Sequence, residues 1–98
     1  MEQENLHQFF EDHSDEFLKF DRVENKLSSR ADLHAFLLLD KLVPGTSDIV
    51  GSAAHDEIFL DTDVGELLKV ATDDQLIEIY RCGILYNEEY ECLYSFVV

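Results

Sequence analysis

A chain of 98 residues, 46% of them apolar and including seven Phe and four Tyr, is long enough for one hydrophobic core and too apolar for an acidic disordered tail. Its 22 Asp and Glu against 7 Lys and Arg give a net charge of −15, beyond the magnitude of about 2–8 that solubility asks of a small domain. That excess repels nucleic acid and anionic lipid and so excludes both as direct partners. The longest apolar run, residues 35–39, falls far short of the roughly 20 residues of a membrane span.

In chain order, residues 2–10 have helical spacing, with Leu6, Phe9 and Phe10 on one face. Asp12 or Ser14 is a cap for a short turn carrying Phe17, Leu18 and Phe20, and the polar residues 21–27 are expected to be a loop. Ser28 or Ser29 is the expected N-cap of the strongest helix, residues 30–43, whose apolar residues cover more than one face and call for several neighbours. The sole proline, Pro44, followed by Gly45, breaks the chain into a helical part and a mixed part. Beyond it, Thr46 or Ser47 would cap a short helix over residues 48–54, and residues 57–61 form a strand. Asp63 caps a helix bearing Val64, Leu67, Leu68 and Ala71. Thr72 and Gln75 make a capping box for the next helix, which Gly83 ends. Residues 84–86 and 91–98 are then two strands around a four-residue loop, 87–90. In the last strand Cys92, Tyr94 and Phe96 alternate with Leu93 and Val97. Both faces are thus partly apolar, which places the strand inside a sheet or under helices. The expectation is a single α+β domain over residues 1–98, with a mainly antiparallel sheet of about three strands, including a C-terminal hairpin, packed with five or six short helices.

No residue set reaches the standard of an active site. Glu57, Asp61 and Asp63, with His55, would form an acidic strand row for a hard divalent cation, yet Gly65, Glu66 and Thr72 break the calcium-loop pattern, and Asp63 serves equally as a helix cap. Cys82 and Cys92 lack the close Cys or His companions of a zinc site. They read as free thiols, although a disulfide across the hairpin between them is conceivable. The first twenty residues hold no apolar run of signal-peptide length, so reduced thiols and a cytoplasmic setting are expected. His7 and His13 are expected to be exposed, and His34 to lie on the polar edge of the central helix. The sequence contains no nucleophile elbow, phosphate loop or HExxH motif, and Glu24-Asn25-Lys26, which resembles a fragment of some nuclease sites, falls in the expected loop.

The charge itself is the strongest signal. Residues 1–41 carry a net −5 and residues 42–98 a net −10, with Lys69 and Arg81 the only bases after Lys41. The candidate partner-binding acids are Asp56, Glu57, Asp61, Asp63, Glu66, Asp73, Asp74, Glu88, Glu89 and Glu91. Helix capping accounts for some of these and leaves the excess unexplained. Phe59, Tyr86, Tyr90 and Tyr94, interspersed among them, serve either as interface anchors or as cross-strand packing.

Residues 32–40 (Asp-Leu-His-Ala-Phe-Leu-Leu-Leu-Asp), Pro44-Gly45, residues 55–61, Arg81-Cys82-Gly83 and Tyr86-Asn87-Glu88-Glu89-Tyr90 together resemble a group of small acidic proteins of tailed-phage and prophage genomes. The resemblance implies a bacterial host cytoplasm and transfers no catalytic residue. Small acidic proteins of that setting include anti-CRISPR proteins and other DNA mimics that act as inhibitors. The expected function is therefore a non-catalytic interaction protein, without cofactor, that occupies a basic nucleic-acid-binding surface of a host defence protein. The alternatives are a divalent-metal domain and a structural or assembly module. Monomer and homodimer stay open, because the terminal strand would pair across a dimer if it lay at a sheet edge.

Overall fold

The computed structural model describes residues 1–96. Four α-helices, α1 (Leu6–Asp12), α2 (Ala31–Leu42), α3 (Val64–Val70) and α4 (Asp73–Arg81), accompany one antiparallel sheet of four strands. The strands are β1 (Val50–Ala54), β2 (Glu57–Leu60), β3 (Leu85–Asn87) and β4 (Cys92–Phe96), in the order β1-β2-β4-β3. Three single-turn 3-10 helices lie before α2. The architecture is α+β as expected, with one more strand and fewer α-helices.

The extra strand is the main correction. Residues 48–54 form no helix; Val50–Ala54 instead pairs antiparallel with β2, Ala54 opposite Glu57 and Ala53 opposite Ile58. The two-residue turn between them is His55-Asp56, with His55 in the left-handed region at φ 57. Short hairpin turns require such a residue. Small side chains at Gly51, Ser52, Ala53 and Ala54 carry no periodic pattern, so only pairing with β2 reveals β1.

The helix ends follow local chemistry. The Asp63 carboxylate accepts the Glu66 amide at the start of α3, and Thr72 and Gln75 complete the capping box of α4. Gly83 follows α4 at φ 96, a conformation that excludes most side chains. At α2 the expected serine cap is absent. Arg30 is the N-cap residue without a side-chain bond, and Ser28 Oγ accepts the Arg30 amide just outside the helix.

The helices pack on one side of the sheet. Leu60, Tyr86 and Leu93 project from β2, β3 and β4 into a core completed by Leu6, Leu39, Leu67, Leu76 and Ile79. α2 is less enveloped than its composition suggested, since Leu33 and Leu37 remain exposed. Stacking of Phe10 on Tyr80, with ring centroids 4.6 Å apart, ties α1 to α4. Glu16 binds both Arg22 and Arg81, whose hydrogen bonds, led by that of Arg81, lower the Glu16 carboxyl below its ordinary pKa. His34 is the second correction. It is buried, not at a polar edge: the Leu27 amide donates to Nδ1 (2.9 Å), so the ring proton sits on Nε2, which donates to Glu78 (2.8 Å). The terminal strand is interior, as expected from its two apolar faces, because β4 lies between β2 and β3. That position removes the proposed β4-to-β4 dimer route. The expected place of Val97 lies outside the described residues.

Candidate interaction surface

Of the 22 acidic side chains, all but Glu16, Glu57 and Glu78 are exposed. Among the described residues, Lys or Arg pairs with only two of them, Glu16 and Glu66. The charge excess therefore stays on the surface without local compensation.

The candidate acids fall into separate groups. Asp61 and Asp63 line one cleft together with Asp40, at the end of α2, and Asp48. Ser47 Oγ donates to Asp61 at 3.2 Å there, while Asp63 is engaged as a cap. Glu88 and Glu91 line a second cleft with Glu2 and Glu4, where Gln3 ties the N-terminal turn to β3 by donating to the Tyr86 hydroxyl at 3.1 Å. His7 Nδ1 approaches Glu88 at 3.7 Å, which brings α1 to the rim of this cleft. Asp73 and Asp74 are exposed in the first turn of α4. Glu78, one turn further along α4, turns inward to His34. Glu66 pairs with Lys69 at 3.0 Å. Asp56 is exposed in the β1–β2 turn, and Glu89 in the loop of residues 88–91. That loop begins one residue later than expected, with Glu91 at φ 53 in the turn and not in the strand.

The metal row is not assembled. Glu57 lies on β2, Asp61 lies past its end, and Asp63 caps α3. Among the described residues no three His, Cys, Asp or Glu side chains form a metal-holding group. Lys26, in the nuclease-like tripeptide, donates to the Val23 carbonyl and sits 5.0 Å from the Phe20 ring centre. Cys82 and Cys92 are free thiols, one buried and one half-buried. Burial, then the Glu78 and Asp32 charges, pushes the Cys82 thiol up to about 12, opposite to the shift of an activated nucleophile.

No family model, curated protein or solved structure matches the chain.

The second feature of the surface is apolar, and the sequence indicated only part of it. Register places Phe59 opposite Tyr94 and Glu57 opposite Phe96 on the sheet face away from the helices. None of the residues projecting from that face is buried. Tyr90, Phe59, Tyr94 and Phe96 form a continuous row of rings, with successive centroids 5.8, 6.2 and 5.6 Å apart. Tyr90 and Phe96, at its ends, are 65% and 52% exposed. Tyr86, the fourth aromatic candidate, is instead buried on the helix side. Asp40, Asp48, Glu2 and Glu4 carry no sequence signal as cleft members, because each reaches its partners only through the tertiary fold. Phe96 also belongs to the row, and the alternation in β4 carried that signal.

Proposed function

We infer that this protein is a non-catalytic binding module for a basic protein surface and that it works by occupying the surface where that partner would hold nucleic acid. One observation carries this reading: nearly every carboxylate is exposed, and very few face a Lys or Arg partner. Such a surface accelerates encounter with a cationic groove and imitates the field of a polyanion. In the bacterial setting that the phage resemblance implies, the partner is a host nucleic-acid-binding or defence protein, and the module acts in the cytoplasm as its inhibitor, without turnover. The clefts around Asp61 and Asp63 and around Glu88 and Glu91 each gather four carboxylates.

The test is capture of basic proteins from bacterial lysate at low salt, followed by kinetics with the captured protein. Duplex DNA should displace it, and raising salt to physiological strength should weaken binding mainly through the association rate. Combined Glu88→Lys, Glu89→Lys and Glu91→Lys substitution should slow association about tenfold or more. Affinity unchanged between low and physiological salt would exclude the mechanism.

A further inference from the structure

We propose that the uncovered sheet face is a docking groove for an extended, arginine-bearing segment of the partner, laid against the free edge of β1. The proposal rests on the basic-partner reading and adds the place and the mode of contact.

The groove runs beside β1 and is lined by Ser52, Ala54, Glu57, Phe59, Tyr90 and Cys92, with His55 of the β1–β2 turn at its end. Its β1 wall is small and its β2 wall is aromatic. β1 ends the sheet, and Gly51–Ala54 is exposed without a charge or proline to guard the edge. Unguarded edges accept a further strand. Ala54 and Glu57 flank the two-residue turn and close the hairpin, so Ala53, opposite Ile58, turns its N–H and C=O outward. A strand added there lies about 5 Å from β1 and about 10 Å from β2. A side chain projecting from it onto the open face crosses Ser52 or Ala54 before it meets Phe59, Tyr90 and Glu57. Only a long side chain spans that gap. Aromatic faces beside a carboxylate suit guanidinium, which stacks and donates in plane at once, better than the more strongly hydrated ammonium. The Glu57 charge reaches this surface, as it raises the Tyr94 hydroxyl pKa after burial does.

Charge also selects the occupant. None of the four strands carries Lys or Arg, so a cation meets no repulsion there. A second copy of the chain would bring another net −15 onto an already acidic rim.

The test uses the isotope-labelled 98-residue chain and three peptides of about eight residues, alternating Arg-Thr, Lys-Thr and Gln-Thr, titrated by NMR at low salt. The Arg-Thr peptide should bind about fivefold tighter than Lys-Thr, with shifts concentrated in residues 50–59 and 90–96. Tyr90→Ala should weaken it about threefold. Ala53→Pro, which removes the outward N–H, should weaken it without altering distant resonances. Should that variant disturb β1, Ser52→Arg fills the groove with the chain's own guanidinium and should weaken the peptide equally. Equal affinity for the Arg and Lys peptides, with shifts spread over the acidic clefts, overturns the groove and leaves the basic-partner reading standing. Gln-Thr binding as well as Arg-Thr overturns the cationic occupant. No binding of either cationic peptide overturns both readings.

Discussion

His34 shows how a single buried polar side chain holds together parts of the chain distant in sequence. Its ring joins the loop at Leu27 to Glu78 on α4, and both nitrogens are used. Replacing it with Leu leaves the Leu27 amide without its acceptor and should cost about 1–3 kcal/mol in urea unfolding. Glu78→Gln retains an acceptor for Nε2–H and should cost less than His34→Leu. A helical wheel places His34 near polar neighbours, and nothing in the sequence announces that α4 will supply a carboxylate from 44 positions away. Cys82 gives a second prediction at this scale. Its thiol is held protonated to about 12 in the folded chain against an ordinary 9.0. The unfolded chain releases that proton first, so the Cys82 contribution to stability is complete below pH 9 and is lost as pH rises from 9 towards 12. Denaturation midpoints measured across that range should fall less steeply for Cys82→Ala than for the parent chain.

Among the secondary-structure elements, the short helices depend on their ends. α3 has seven residues and α4 nine, too few to persist on propensity alone. Thr72→Ala opens the capping box of α4 and should cost about 1 kcal/mol, with Asp63→Ala costing α3 a similar amount. Thr72→Ser should restore most of the loss, which thermal or urea unfolding would resolve. These caps were legible in the sequence because their chemistry is complete within four residues. The place of β4 between two strands was legible from its apolar residues on both faces, although only the face of Leu93 is covered and that of Tyr94 and Phe96 lies open. β1 was not legible. A cap for residues 48–54 was available at Thr46 or Ser47, the small residues show no alternation, and His55-Asp56 lacks the glycine that usually marks a tight hairpin. The aromatic row was half legible, because Phe59, Tyr90 and Tyr94 stood out as candidates while the face they share depends on the register between β2 and β4.

For the whole molecule, charge and stability oppose each other in a way that separates acids kept for structure from acids kept for binding. Exposed carboxylates without cationic partners repel one another across a molecule with a radius of gyration of 12.3 Å, which is shorter than the Debye length of about 30 Å at 0.01 M salt and longer than the length of about 8 Å at physiological ionic strength. Screening should therefore raise the melting temperature as NaCl increases from low to physiological concentration. The acids should then divide by position. Asp73 and Asp74 face the N-terminus of α4, where the helix macrodipole favours negative charge, so Asp73→Lys should destabilise by about 0.3–1 kcal/mol. Glu88 and Glu89 sit exposed in a turn, and Glu88 shares its cleft with three other glutamates. Combined Glu88→Lys and Glu89→Lys substitution should leave the fold as stable as before or more stable, while slowing association with a basic partner. Parallel unfolding and association measurements on the same variants would show whether stability and binding move in opposite directions. A fold that loses stability whenever these loop acids are reversed would mean that they serve the structure, and the excess charge would then need no partner to explain it.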